Sequence, residues 1–112
     1  MGSTFVQVNG IRLGIEQRGA ASKHSPTLVM LHGFTGSAVG WGNHLDILAD
    51  RGLRIIAVDL PGHGQSDAPG DSQRYAIEYC QQDILAALGK LGVREGEAIL
   101  LGYSMGGRIA LY

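Results

Sequence analysis

The sequence has few of the features that cross-link a chain or anchor it in a membrane. Among its 112 residues is a single cysteine, Cys80, so no disulfide can form within the chain and a reducing, cytoplasmic compartment is expected. We expect Cys80 to be a core thiol rather than a reactive one. No run approaches the ~18 apolar residues needed to span a bilayer, and residues 1–9 lack a secretion-signal pattern.

Charge is also scarce. Charged residues make up 17% of the chain and the formal net charge is -1, which argues against nucleic acid or a membrane surface as a partner. We therefore expect a small-molecule partner. Hydrophobic residues make up 45%, which excludes a disordered tail, and the 18 glycines imply many tight turns.

An antiparallel hairpin is predicted at the beginning of the chain. Residues 4–8 and 11–17 alternate apolar and polar side chains on either side of Asn9-Gly10. This dipeptide favours the type I′ turn, because both of its residues tolerate a positive φ.

Continuous apolar runs indicate three further strands, each typical of a parallel strand buried on both faces: residues 27–31, 54–58 and 98–101. Helical spacing relates Trp41, Leu45 and Leu48, and also Ile77, Ile84, Leu88 and Leu91, with Gly52 and Gly92 predicted to end the two helices. Strands alternating with helices predict an α/β fold in one unit, with an opening β-hairpin, a mostly parallel sheet and flanking helices.

The last strand runs into a Gly-x-Ser-x-Gly pattern, GYSMG at residues 102–106. At a strand-to-helix junction this pattern predicts a nucleophile elbow that exposes the hydroxyl of Ser104. The oxyanion of a tetrahedral intermediate needs two N–H donors, one after the nucleophile and one from the loop after the first parallel strand. Met105 and Phe34 are the candidates.

A serine nucleophile needs a base, and the sequence does not offer one in the expected place. In this architecture the acid and the histidine follow the serine, whereas His24, His32, His44 and His63 all precede Ser104. We expect His32 and Gly33 to support the oxyanion loop and His63 to bond its own loop backbone. No cluster has metal-ligand spacing, so neither a metal nor a cofactor is predicted.

The loop at residues 59–66 follows the second parallel strand and contains Pro61 and paired glycines. This composition defines a tight turn, and both pure scaffolding and a role at the site remain open for it.

These motifs resemble those of the α/β-hydrolase superfamily. The resemblance rests on HGF at residues 32–34, GHGQS at 62–66 and GYSMG at 102–106. It implies that residues 1–112 are a partial α/β-hydrolase domain, the amino-terminal half of the fold. The later strands, the cap segment, and the triad acid and histidine would then be absent from this chain.

A closer resemblance is to the 2-succinyl-6-hydroxy-2,4-cyclohexadiene-1-carboxylate synthases of menaquinone biosynthesis, through residues 31–37 and 102–108. Members of that subfamily eliminate pyruvate and use the serine triad for proton abstraction. The resemblance places Tyr103 and Arg108 at or near the substrate. Because Arg108 lies one helical turn beyond Ser104, it could meet a substrate carboxylate, although a surface role is equally open.

Other functions remain open at this stage. A carboxylesterase or a carbon–carbon hydrolase would use the same fold and the same serine. A noncatalytic fragment could instead self-associate through the unpaired edge of the last strand. The expected partners are thus a small-molecule carboxylate or ester substrate, together with the missing carboxyl-terminal portion or a second copy of the chain.

Overall fold

The computed structural model describes residues 2–19, 26–33, 36–70, 75–93 and 98–102. These residues form strands and helices in the alternating order expected of an α/β protein. The elements are β1 (Gly2–Val8), β2 (Ile11–Arg18), β3 (Thr27–Leu31), a 3₁₀ turn (Val39–Trp41), α1 (His44–Asp50), β4 (Arg54–Val58), α2 (Ile77–Lys90) and β5 (Ala98–Gly102).

The opening hairpin is confirmed. β1 and β2 pair antiparallel, with Val8 opposite Ile11 across the two-residue turn. Asn9 has a φ of 47° and Gly10 a φ of 85°, so both central residues are left-handed, as a type I′ turn requires.

The strands form one mixed sheet in the order β1-β2-β4-β3-β5. β3 pairs parallel with β4 on one side and with β5 on the other, while β2 joins β4 antiparallel. Leu31, the last residue of β3, lies opposite both Val58 and Gly102, which are the last residues of β4 and β5. The three parallel strands therefore end at the same level of the sheet.

The sheet buries both of its faces around β3 and β4. Because side chains alternate along a strand, Val29 and Leu31 pack on one face and Met30 on the other. The first face is covered by α2, and the second by the 3₁₀ turn and α1. The α2-side core includes Ile56, Val58, Cys80, Ile84, Ala87 and Leu88, and the α1-side core includes Ala38, Leu45, Ile55 and Ala57.

The first predicted helix is shorter than its apolar spacing indicates. Trp41 belongs to the 3₁₀ turn, and Gly42, with a φ of 59°, separates that turn from α1. Leu45 and Leu48 lie within α1 as predicted. Trp41 still packs against the α1-side core, so the apolar spacing reported burial correctly although the backbone is not one continuous helix.

The second helix ends close to the predicted glycine. α2 stops at Lys90, and Gly92 follows in the left-handed region with a φ of 80°. The Arg54 guanidinium on β4 donates to the Leu91 carbonyl at 2.7 Å. A cation at this end of the helix binds a carbonyl that has no partner within the helix and interacts favourably with the negative end of the helix dipole.

The expectation that the third apolar run is buried on both faces is wrong for β5. Ile99, Leu100 and Leu101 are 58%, 45% and 42% exposed. The reason is position, since β5 is the edge strand and pairs only with β3 within the part of the chain that the structure describes.

Among all the residues that the structure describes, no helix is both long and apolar enough to cross a membrane.

Candidate functional site at the carboxyl ends of the parallel strands

Two loops with chemistry-bearing residues leave the sheet side by side. The β3 loop (residues 32–38) follows Leu31, and the β4 loop (residues 59–66) follows Val58, its neighbour in the adjacent strand. Ligands of open α/β sheets bind at this carboxyl edge. The third strand, β5, reaches the same edge at Gly102, two residues before Ser104 in the sequence.

Five of the predicted site residues lie outside the described residues: Phe34, Tyr103, Ser104, Met105 and Arg108. Their roles as oxyanion donors, nucleophile and substrate contacts stay predictions. The three residues predicted to support the loops, His32, Gly33 and His63, are described.

His32 connects the two loops. Its Nε2 accepts the backbone N–H of Leu60 at 2.9 Å, so Nδ1 must carry the ring proton and donate to the Gly33 carbonyl at 2.7 Å. The side chain is 4% exposed, and both ring nitrogens are occupied by the backbone. His32 is thus held as one neutral tautomer that has no free nitrogen for a substrate.

The environment of His32 favours this neutral form. Burial lowers the pKa of His32 below its ordinary value of 6.5, and the nearby His63 ring lowers it further. The Gly33 carbonyl and the Asp59 carboxylate act in the opposite direction without reversing the shift. Protonation at Nε2 would also remove the acceptor that holds Leu60.

The β3 loop turns tightly just after His32. The Gly36 N–H donates to the Gly33 carbonyl at 3.0 Å, which joins two described residues of this loop. A Cβ at Gly36 would lie 3.1 Å from both the Gly33 oxygen and the His32 Cβ, so a side chain there would crowd the turn. Gly33 is itself buried. The turn therefore brings the backbone close to His32.

His63, in the β4 loop, lies next to the His32 ring of the β3 loop. Its Nδ1 is 3.0 Å from the Pro61 carbonyl, and the two imidazole rings are 4.9 Å apart at an angle of 53°. Backbone bonds from His63 to Leu60 and from Ser66 to His63 make this loop a series of tight turns. Much of its structure is thus local scaffolding.

The residue that sequence reasoning missed at this edge is Asp59. Its carboxylate is buried, with 4% exposure, and accepts backbone N–H groups from Ala38 at 2.7 Å and Gln65 at 3.1 Å. Glycine at two neighbouring positions makes room for it, since a Cβ at Gly64 or Gly14 would lie 2.3 or 2.8 Å from its atoms. The sequence does contain a signal for this role of Asp59. It is an aspartate directly after a buried strand, followed by a glycine-rich turn.

The described part of this edge offers hydrogen-bonding groups rather than metal ligands. No group of three or more His, Cys, Asp or Glu side chains among the described residues could hold a metal ion. Within the described residues, the arrangement is a β3 loop that is fixed by His32 and Asp59 at the edge where the parallel strands end.

Comparison with known proteins agrees with the fold. The family described as the alpha/beta hydrolase fold matches residues 26–112, which is most of the chain. The chain belongs to this family.

Individual relatives differ in their chemistry. The chain is 34% identical over 98 residues to bifunctional epoxide hydrolase 2 of Sus scrofa, which covers 88% of this chain and 17% of that protein. It is 36% identical over 111 residues to a Bacillus subtilis protein provisionally named 2-succinyl-6-hydroxy-2,4-cyclohexadiene-1-carboxylate synthase, covering 98% of this chain and 38% of that protein.

A solved structure shows the same fold. The epoxide hydrolase VrEH1 of Vigna radiata superposes with a TM-score of 0.86 at 31% identity, over 96% of this chain and 33% of that one. The chain thus spans between about a sixth and two fifths of the length of these three proteins.

Proposed function

We propose that this chain is the amino-terminal part of a serine-triad enzyme of the α/β-hydrolase fold. The observation that carries the proposal is the common end of the parallel strands. Leu31 lies opposite Gly102, so the β3 loop begins next to the residue that precedes Tyr103 in the sequence. In this arrangement Ser104 is the nucleophile, and the N–H groups of Phe34 and Met105 stabilise the oxyanion.

The histidines of the described part of the chain support a second feature of the proposal, namely that the base comes from elsewhere. His32 uses both ring nitrogens to bind backbone groups of Gly33 and Leu60. His63 places its Nδ1 against the Pro61 carbonyl and lies within its own loop. A triad histidine and its acid are therefore expected beyond Tyr112, and the 112 residues alone are expected to be inactive.

The serine itself favours some reactions of the family over others. Attack by a serine oxygen on an epoxide carbon would leave an alkyl ether, which has no carbonyl for water to attack. Attack on an ester or ketone carbonyl leaves a tetrahedral oxyanion, which the predicted N–H pair suits. Epoxide opening is therefore a poorer match to Ser104, although epoxide hydrolases are among the chain's relatives.

We infer that the reaction is the elimination of pyruvate to form 2-succinyl-6-hydroxy-2,4-cyclohexadiene-1-carboxylate. Support comes from the sequence match to the Bacillus subtilis protein of that name and from Arg108, four residues after Ser104 in the sequence. A guanidinium there would pair with a substrate carboxylate. Ser104, activated by the absent histidine, would abstract the proton that starts the elimination.

A carboxylesterase or carbon–carbon hydrolase is the second enzymatic candidate, since it needs the same serine and oxyanion donors. The deciding experiment measures pyruvate release and simple ester hydrolysis by the protein with its remainder present in cis or trans. We expect pyruvate release to dominate and Ser104→Ala to abolish it. Dominant ester hydrolysis would replace the lyase assignment, and full activity in Ser104→Ala would overturn both candidates.

A noncatalytic, self-associating fragment is the third candidate, and the apolar edge strand favours it. Ile99, Leu100 and Leu101 are exposed on β5, the last strand of the described sheet. The same surface would pair with the remainder of the enzyme. We propose the cytoplasm as the location, which is supported by the presence of a single, buried cysteine, Cys80, in the 112-residue sequence.

A further inference from the structure

The β3 loop is fixed at both of its ends by side chains. At its beginning, His32 binds the Gly33 carbonyl and joins it to Leu60 of the β4 loop. At its end, the Ala38 N–H donates to Asp59 Oδ1 at 2.7 Å, again across to the β4 loop. Residue 34, the predicted oxyanion donor, lies in sequence between these two attachments.

Asp59 is itself held firmly by a third strand. Its N–H donates to the Gly14 carbonyl of β2 at 2.9 Å, and its carbonyl accepts the Ser66 hydroxyl, which in turn accepts the Gly14 N–H. Its second carboxylate oxygen binds the Gln65 N–H at 3.1 Å. The Asp59 backbone is therefore attached to β2, and the carboxylate that accepts the Ala38 N–H is also bonded within its own loop.

The chemistry of these contacts explains why the residue is an aspartate. A carboxylate only accepts hydrogen bonds, and two backbone donors converge on its two oxygens. An asparagine has the same shape but presents an NH₂ group in place of one oxygen, so it would face one of the N–H donors with another donor. Charge-assisted bonds of this kind are stronger than neutral ones.

We propose that Asp59 is a positioning residue for the reaction, because its carboxylate holds the end of the β3 loop and so sets where the Phe34 N–H meets the oxyanion. The proposal rests on the proposed function. It adds a residue whose side chain does not touch the substrate and that acts through the backbone of the β3 loop. Displacement of an oxyanion donor by about 1 Å can cost roughly 100-fold in rate.

The test compares Asp59→Asn with Asp83→Asn in the catalytically competent protein, with its remainder present in cis or trans. Asp83 is the matched control, since it is a fully buried carboxylate on α2, away from the carboxyl edge. We expect Asp59→Asn to lower kcat by roughly 100-fold while KM changes by less than about threefold. Asp83→Asn should leave kcat within about threefold of the wild-type value.

A second readout does not depend on activity. Amide hydrogen exchange in the 112-residue chain should accelerate at Ala38 by roughly tenfold or more in Asp59→Asn and stay unchanged in Asp83→Asn. If Asp59→Asn does not fold, a backbone ester in place of the Ser37–Ala38 amide removes the same bond and leaves Asp59 intact. It should reproduce the loss of kcat.

The outcomes separate this proposal from the one on which it rests. If Ser104→Ala is inactive but Asp59→Asn or the backbone ester keeps wild-type kcat, the positioning role is overturned and the proposed function stands. If kcat falls equally in Asp59→Asn and Asp83→Asn, the effect is one of stability and the positioning role is again overturned. If Ser104→Ala keeps wild-type kcat, the proposed function fails together with the role of Asp59 in it.

Discussion

Two buried side chains, His32 and Asp59, connect the β3 and β4 loops, and each does so in one ionisation state. His32 must be neutral to accept the Leu60 N–H, whereas Asp59 binds two N–H donors as a carboxylate. The structure of this edge therefore depends on pH through His32, whose pKa burial holds below its ordinary value.

We predict that acid weakens the fold through His32. Because its folded-state pKa lies below the unfolded value of 6.5, the unfolded chain binds the proton more readily. The stabilisation from neutral His32 is complete above pH 6.5 and is lost as the pH falls below 6.5 and through the folded pKa. Urea unfolding between pH 5 and pH 8 measures this loss in the free energy of unfolding. These pH values lie on either side of the ordinary histidine pKa.

The control for this prediction is a pair of variants. His32→Gln should remove this part of the pH dependence, while His44→Gln, at an exposed position of α1, should leave it as in the wild type. An identical pH dependence in the wild type and His32→Gln would contradict the prediction.

A second prediction concerns Gly64, which lies against the Asp59 carboxylate. Its φ is 50°, and a Cβ there would lie 2.3 Å from the Asp59 carboxylate. Gly64→Ala should therefore destabilise the chain by roughly 3 kcal/mol or more, from backbone strain and the clash together. Gly10→Ala is the matched control, since Gly10 has a φ of 85° and no atom near its Cβ position, and it should cost only about 1 kcal/mol. Equal losses of unfolding free energy in urea would show that the contact with Asp59 is unimportant.

The sequence predicted part of this edge residue by residue. The HG pair at 32–33 predicts a supporting role for His32, because the motif itself is distinctive. The role of Asp59 was missed because its contact with Ala38 depends on β3 and β4 being neighbours in one particular register. Composition and spacing along one strand carry no information about the lateral register.

Secondary-structure elements are joined by a few specific polar contacts as well as by the apolar core. The type I′ turn of the hairpin meets α2 where the Asn9 side-chain amide donates to Asp83 at 3.0 Å. Nearby, the Lys90 ammonium donates to the Gln7 carbonyl of β1. These contacts attach the hairpin to the helix that covers the same face of the sheet.

We predict that Asp83→Ala weakens this attachment. Asp83 is fully buried, and its loss removes the acceptor of a part-buried hydrogen bond from the exposed Asn9 side chain. The expected loss in the free energy of unfolding is about 1–3 kcal/mol. Glu78→Ala, at an exposed position of the same helix, should change it by less than about 0.5 kcal/mol. Urea unfolding of both variants tests this, and a cost for Asp83→Ala as small as that for Glu78→Ala would refute it.

Elements with strong local signals were predictable from the sequence. Asn9-Gly10 determined the hairpin turn, and the spacing from Ile77 to Leu88 determined α2. The break between Trp41 and α1 was not predicted, because Gly42 adopts a positive φ of 59° that apolar spacing does not reveal. The exposure of β5 was not predicted either, since an apolar run does not say what lies on each side of it.

The sheet has one half that is buried on both faces and one apolar edge that is exposed within the described residues. β3 and β4 are buried on both faces, whereas β5 exposes three large apolar side chains and an unpaired edge within the described residues. Such edges pair with other strands. The relatives are much longer than the region that matches this chain.

We predict that the 112-residue chain associates with itself through β5. Sedimentation velocity over a range of concentrations should show oligomers, because pairing of the edge buries Ile99, Leu100 and Leu101. Leu100→Lys should shift the distribution to monomer. Ile47→Lys, at a position of α1 that is 51% exposed, should not. A stable wild-type monomer at all concentrations would rule out association through this edge.

We propose that the carboxyl edge of β3, β4 and β5 carries half of a serine site. The most direct measurement is covalent labelling of Ser104 by a reactive phosphonate, followed by intact mass and peptide mapping. We expect no labelling of the 112-residue chain alone. We expect stoichiometric labelling of Ser104 once the remainder of the enzyme is supplied in cis or trans, and no labelling of the Ser104→Ala variant. Rapid labelling of Ser104 in the isolated chain, or modification of a different residue in the complete protein, would contradict it.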